Sequence, residues 1–296
     1  MDKEFHDLAE LQLNIEPTTG EINSSWGNLG YWASSRQRAD QSITSTSYPQ
    51  ACGQLARELA NIATLDASHK VLDTGFGCGD QLLLWLEEYQ VQHLSGINLS
   101  FSQTQHAQEK IKKLKLGPYI TCSLNVGDCS HERSWQKLDE TFNRIIALDC
   151  IYHFNDKQNY FSLCKQHLEK NGALVITDLV LTTKNMSFWQ KIILKSICYF
   201  SHIPYKNLQT QEHYQKHLSN MGLVITQQRY ISQDVFLPFG QWLKGYIQQI
   251  EYSQKVRHKY SWLKYRGTAK FLAWGYKNKI FNYCILRIEA KSSKFD

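Results

Sequence analysis

Residues 71–80 read VLDTGFGCGD, and no other stretch limits the fold of this 296-residue chain so tightly. A short apolar run ends in Asp73, Gly75, Gly77 and Gly79 follow at alternate positions, and DQLLLWLEEYQ (80–90) has helical periodicity. Glycine lacks a Cβ, so the chain can turn sharply there and bring its backbone close to a ligand. Strand, glycine turn and helix in that order place the ligand beyond the carboxyl end of a strand in an open α/β sheet. The spacing also excludes some ligands. A dinucleotide turn of the form G-x-G-x-x-G needs glycine at 80 and an acid at the end of the second strand, where Asp80 and Asn98 stand instead. A Walker phosphate loop needs G-K-[ST] after the glycines, and none follows.

The same unit recurs along the chain. QACGQLARELANIAT (50–64) has helical spacing, and HLSGIN (93–98) is a short strand. Ser100 caps a helix running through Leu114. YITCSLNV (119–126) and FNRIIALDC (142–150) are strands, a helix runs from about Lys157 to Glu169 with Asn171-Gly172 as its stop, and ALVITDLVL (173–181) is the next strand. This alternation predicts an α/β fold: a Rossmann-like, seven-stranded, mostly parallel sheet with helices on both faces, plus helical lid insertions. Residues 184–221 and 239–276 read as largely helical, and LVITQQRYI (223–231) and NYCILRIEA (282–290) as late strands that complete the sheet as an antiparallel pair. The expected division is an N-terminal lid or extension (1–48), a cofactor-binding core (49–183), a mainly helical substrate and lid region with the late strand near 223–231 (184–276), and a final strand and tail (277–296).

Composition narrows the partners. A hydrophobic fraction of 42% supports a sizeable core. The net charge of +6 is a mild excess, partly in the run Lys255 to Lys270, and reads first as a solvated basic helix face. That is small for phosphate binding, and N-P-P-[YF] and Pro-Cys are both missing, so no nucleic-acid partner is expected. The eight cysteines form no C-x-x-C pair and no zinc-like spacing, which points to no metal and to reduced thiols in the cytoplasm. The first residues, MDKEFHDLAELQLNIEP, lack the apolar core of a signal peptide. No apolar run approaches the roughly 20 residues of a spanning helix. SFWQKIILKSICYFSHIP (187–204) is apolar with interspersed lysines; a lid helix and a helix making weak contact with a membrane surface both fit it.

Four segments in register, VLDTGFGCGD, GINLSFSQ (96–103), NVGDCS (125–130) and ALDCIYHFNDK (147–157), resemble the class I S-adenosyl-L-methionine-dependent methyltransferases. Within that class they are similar to the subgroup of tocopherol, antibiotic-sugar and phosphoethanolamine methyltransferases and cyclopropane fatty acid synthases. The resemblance covers roughly residues 26–180 and the two late strands. It implies S-adenosyl-L-methionine as cofactor, with Asp73, Gly75, Gly77 and Gly79 around the methionine part. Asn98 takes the place of the ribose-binding acid, Asp128 in the adenine segment with Gly127 and Cys129 accepts from the adenine amino group, and Leu99, Gln103 and Leu148 are further cofactor-binding candidates. NLGYW (28–32) resembles an N-terminal lid motif of the same subgroup, which would bring Tyr31 to the methionine carboxylate.

Methyl transfer from a sulfonium is an in-line displacement, so the protein must position donor and acceptor. An oxygen or nitrogen acceptor also loses a proton, which a histidine with an ordinary pKa of about 6.5 can take. The resemblance puts His153 in that role, supported by Asp178 at the end of the next strand; a pocket-wall or cofactor-contact role for His153 stays open. Asp149 and Tyr152 are substrate-pocket candidates. The expected activity is methyl transfer to a small-molecule acceptor through O, N or C. The alternatives are a lipid-modifying (phospholipid or fatty-acyl) methyltransferase and a non-catalytic cofactor-binding module.

Overall fold

The apolar run before the glycines is β1 (Lys70–Thr74), an interior strand of the sheet. The computed structural model describes residues 9–17, 19–33, 46–138, 140–182, 185–250 and 259–291. Within them β2 (His93–Asn98), β3 (Thr121–Val126), β4 (Phe142–Ala147), β5 (Leu168–Leu181), β6 (Gln209–Thr210), β7 (Leu223–Tyr230) and β8 (Phe281–Ala290) join β1 in one sheet. The order is β3-β2-β1-β4-β5-β8-β7, with β6 paired to the end of β5. Strands β3 to β5 are parallel, and β8 inserts antiparallel between β5 and β7. The mostly parallel sheet and its late antiparallel pair follow the expectation; the two-residue β6 gave no sequence signal.

Nine helices lie among the described residues: α1 (Tyr48–Ala63), α2 (Asp80–Glu87), α3 (Phe101–Lys113), the short α4 (Glu132–Trp135), α5 (Lys157–His167), α6 (Phe188–Phe200), α7 (Gln211–Asn220), α8 (Ser232–Gln249) and α9 (Lys259–Lys277). Local chemistry sets their starts. Ser100 Oγ accepts the Gln103 N–H at 3.3 Å and opens α3. Ser47 and Gln50 form a reciprocal capping box on α1. Helix α5 ends at His167, before the expected stop, because Leu168 already pairs with Phe142 of β4 and the ladder overrides helical propensity.

The sheet has a core on each face. One packs α1, α2, α8 and α9 against it, with Trp32, Trp85, Phe236 and Trp242 buried. The other packs α5 and α7, with Tyr160, Phe161, Tyr214 and Leu218. Strand β5 serves both: Ala173, Val175 and Leu179 join the first core, Leu174, Ile176 and Val180 the second. Residues 19–32 run as a strap over the first face, where the Tyr31 N–H donates to Ala51 O and the Trp32 N–H to Asp234 O, each at 2.8 Å. Among the described residues no helix is long and apolar enough to cross a membrane.

Candidate active site

The carboxyl ends of the parallel strands open into one cavity of about 620 Å³. Its floor is the glycine turn, where Gly75, Gly77 and Gly79 have φ of +82°, +56° and +89°. An L side chain is strained there. A Cβ at Gly75 would lie 2.7 Å from Cys150 Sγ, and one at Gly79 would lie 2.6 Å from Ala107 Cβ, so these two let the loop pack on its neighbours. A Cβ at Gly77 would meet nothing within 4 Å: bare backbone faces the cavity.

Asn98, at the end of β2, holds this turn. Its Oδ1 accepts the Gly77 N–H at 3.3 Å, and its Nδ2 donates to Gln103 Oε1 at 3.1 Å. Leu99 and Gln103 line the wall beside it. Beyond β3, Asp128 Oδ1 accepts from the Ser130 N–H and hydroxyl at 2.8 and 2.6 Å, and Oδ2 from Asn155 Nδ2 at 3.1 Å. Burial opposes the Asp128 charge, but the Ser130 and Asn155 donors outweigh it and hold the carboxyl below its ordinary range. Cys129 and Leu148 complete this end.

Three residues expected to touch cofactor are not on the wall. Asp73 is fully buried and accepts from Gln81 Nε2 at 3.0 and 2.9 Å and from Trp85 Nε1 at 2.7 Å. Burial pushes its carboxyl up to about 6, and it anchors α2 behind the turn. Gly127 donates its N–H to Asn98 O and packs against Ser134. Tyr31 is buried in the first core and its hydroxyl accepts from Arg229 Nη2 at 2.8 Å; Ser25 to Leu29 reach the cavity instead.

The other end is built on the turn after β4, where Asp149 has φ +57°. Its Oδ2 accepts the Leu29 N–H at 2.8 Å, and its Oδ1 accepts the Tyr152 hydroxyl at 2.7 Å and the Tyr283 hydroxyl. Burial pushes this carboxyl up, and those three donors oppose the shift. Tyr283 gave no functional signal in the sequence because it sits inside an apolar strand. His153 is exposed and lines the cavity. Its Nδ1 lies 3.3 Å from His202 O. A carbonyl oxygen only accepts, so this partner assigns the proton to Nδ1 and leaves the Nε2 lone pair available. Enclosure by the cavity walls pushes the imidazole down to about 4, so it is neutral at pH 7.

The structure does not bring Asp178 to His153. Successive side chains on a strand point to opposite faces. Thr177 faces the cavity side, where its Oγ1 accepts the Asp149 N–H at 2.7 Å. Asp178 faces the other core, where its Oδ2 accepts from Lys157 Nζ at 2.5 Å and from the Tyr214 hydroxyl at 2.8 Å. The His–Asp dyad is therefore replaced by a longer connection. Lys157 Nζ also donates to Asn207 O at 3.0 Å, and Asn207 Nδ2 donates to Tyr152 O and Phe154 O at 3.1 and 2.7 Å, bracketing His153. Sequence reading missed the apolar end of the cavity, lined by Leu179, Ile203, Phe239, Phe271 and Leu272, together with Lys264. Most of these come from helical segments whose only legible property was apolar periodicity.

Among the described residues no group of three or more His, Cys, Asp and Glu side chains is placed to hold a metal ion. The cavity has a polar end, with Asp80, Asp128 and bare glycine backbone, and an apolar end that begins at Asp149. Carboxylates favour a cationic ligand, and Gly77 leaves the space a large one needs. With this strand order, those properties define a class I S-adenosyl-L-methionine-dependent methyltransferase. Comparison with known proteins agrees and narrows the class. The model of the mycolic acid cyclopropane synthetase family matches residues 44–276, and the chain belongs to that family.

The chain is similar to erythromycin 3''-O-methyltransferase from Saccharopolyspora erythraea, at 25% identity over 236 residues, 76% of this chain and 69% of that one. It is 30% identical over 125 residues to phosphoethanolamine N-methyltransferase 1 from Triticum aestivum, which is 42% of this chain but only 24% of that protein. The cyclopropane synthase MmaA2 from Mycobacterium tuberculosis shares the fold, with a TM-score of 0.69 over 98% of this chain and 99% of that one, at 16% identity.

Proposed function

We propose that this enzyme moves a methyl group from S-adenosyl-L-methionine to a small molecule with an apolar body, and that His153 takes the acceptor's proton. The observation that carries this reading is the single cavity joining the glycine turn to an apolar chamber, with His153 on the shared wall. When bound, the cofactor supplies a methyl group on a positively charged sulfur. In this reading Gly75, Gly77 and Gly79 hold the methionine part, Asn98, Leu99 and Gln103 the ribose, and Asp128, Cys129 and Leu148 the adenine. Asp149 and Tyr152 orient the acceptor, Phe239 and Phe271 exclude water from it, and His153 Nε2 receives the proton. Residues 49–183 then serve the donor, while 1–48 and 184–276 shape the acceptor side and 277–296 supply the final strand. The eight free cysteines fit a reducing compartment, the cytoplasm.

A lipid or fatty-acyl acceptor is the second reading, favoured by the apolar lining of the acceptor end. The test is release of S-adenosylhomocysteine from a panel of hydroxylated, amine and acyl-lipid acceptors. His153→Ala should lower turnover about 10²–10⁴-fold and leave S-adenosylhomocysteine affinity unchanged. Near-normal turnover in that variant removes the base role. Cofactor binding without turnover on any acceptor would favour a non-catalytic module.

A further inference from the structure

A helix on a folded protein normally turns its apolar stripe inward. Helix α6 does the reverse. Leu194 and Cys198 are buried, whereas Phe188, Trp189, Tyr199 and Phe200 are 71%, 70%, 78% and 77% exposed. Ile192 and Ile193 are part-exposed between them, and the pairs 188/189, 192/193 and 199/200 recur along one face of the helix. Lys191 and Lys195 are exposed on the same helix. Helix α9 repeats the pattern: Tyr260 and Leu263 are 86% and 55% exposed, beside exposed Lys264, Arg266 and Lys270. Helix α9 lines the cavity with Lys264 and Tyr265, and Ser201 and Ile203, just after α6, line it too. Exposed apolar surface of this extent on a single face marks an interaction site.

Charge selects the occupant. Helix α6 contains two lysines and no acid, and helix α9 contains five Lys and Arg and no acid. The two helices carry +7 of a chain whose net charge is +6, so the rest carries −1. A second copy meeting this face through its own copy of the patch would set lysines against lysines. A bilayer with anionic headgroups matches both features, since aromatic rings favour the membrane interface and cations favour its surface charge. We propose that α6 and the first turns of α9 form a docking face for an anionic lipid bilayer, bordering the cavity so that an amphiphilic acceptor passes from the bilayer into it. The delivery step rests on the proposed acceptor site; docking itself does not.

Flotation of the full chain with phosphatidylglycerol–phosphatidylcholine vesicles, without cofactor or acceptor, tests docking alone. Binding is expected to the anionic vesicles, to be weak to pure phosphatidylcholine, and to fall with salt. Lys191→Glu/Lys195→Glu should weaken partitioning at least about 25-fold, each lysine near the surface being worth about fivefold. Trp189→Ser/Phe200→Ser should weaken it at least about tenfold. Both variants alter exposed side chains, so S-adenosylhomocysteine binding and thermal melting should match wild type. His153→Ala should float like wild type, which keeps a failure of the site reading separate from a failure of docking. No binding to anionic vesicles, equal binding to neutral ones, or unchanged binding in both variants overturns the proposal. Concentration-dependent dimerisation that Trp189→Ser/Phe200→Ser abolishes, without vesicle binding, overturns it in favour of a second copy.

Discussion

Gly77 and Gly79 share a motif and a positive φ, yet they should fail differently when substituted. Gly77→Ala places its methyl in open cavity, on the side proposed to receive the donor. It should weaken S-adenosylhomocysteine binding at least tenfold by titration calorimetry, with about 1–2 kcal/mol of backbone strain. Gly79→Ala drives its methyl into Ala107, so overpacking adds about 1–3 kcal/mol to the same strain. Its melting temperature should fall by about 4–10 °C, while binding per folded molecule changes less. Equal losses of affinity in both would contradict this division. His153 makes the other residue-level expectation. Its pKa of about 4 keeps it unprotonated where an ordinary histidine titrates, so kcat/KM should stay flat through pH 6.5 and fall only toward 4. The sign for stability follows. Between about 6.5 and 4 the unfolded chain takes a proton at this position before the folded one, so folding weakens as pH drops through that window. His153→Gln should flatten that part of the melting-temperature profile; an unchanged slope would assign it to other groups.

At the scale of elements, β5 shows how a residue can be in the right strand and on the wrong face. The sequence ALVITDLVL is apolar nearly throughout, because both faces of a central parallel strand are buried. That hides the alternation that would have told Thr177 from Asp178. The strand itself, the glycine turn, the Ser100 cap, and Asn98 and Asp128 beyond their strands were all legible, because each depends on local spacing. Tyr31, Asp73 and Asp178 were misplaced because their partners Arg229, Trp85, Lys157 and Tyr214 are chosen by tertiary packing, which spacing does not encode. The buried Lys157–Asp178 pair suggests its own test. Lys157→Met leaves a carboxylate without its cation in an apolar core and should destabilise the fold by about 3–5 kcal/mol by denaturant unfolding. Asn207→Ala should cost about 1–3 kcal/mol, since it frees two buried carbonyls, but its larger effect should be on turnover, because those carbonyls flank His153. A fall in kcat of about tenfold or more with unchanged S-adenosylhomocysteine affinity is expected. Loss of stability alone would mean that the turn holds its shape without Asn207.

On the scale of the whole molecule, the strap ties together the two ends of the site. The Ser25 N–H donates to Asp80 Oδ2 at 3.1 Å at the polar end, and the Leu29 N–H donates to Asp149 at the apolar end. Lys110 closes the clasp: its Nζ donates to Ser25 Oγ at 2.6 Å and to the Asp80 carboxylate. Ser25 to Leu29 form part of the cavity wall, so in the proposed reading a bound donor lies beneath them and is expected to leave when the strap lifts. Lifting must break the Lys110 contacts, whereas the folded core behind the strap is untouched. Lys110→Met should therefore change ligand exchange more than stability. The side chains are only 17% and 11% exposed, so the pair contributes at least about 1 kcal/mol, equivalent to a roughly fivefold or faster release. Stopped-flow displacement of S-adenosylhomocysteine reads this directly, and its uncharged sulfur keeps any altered attraction between Asp80 and a sulfonium out of the result. A faster off-rate with a melting temperature within about 2 °C of wild type is expected. An unchanged off-rate would mean that the donor leaves by the open acceptor end, with the strap a fixed wall.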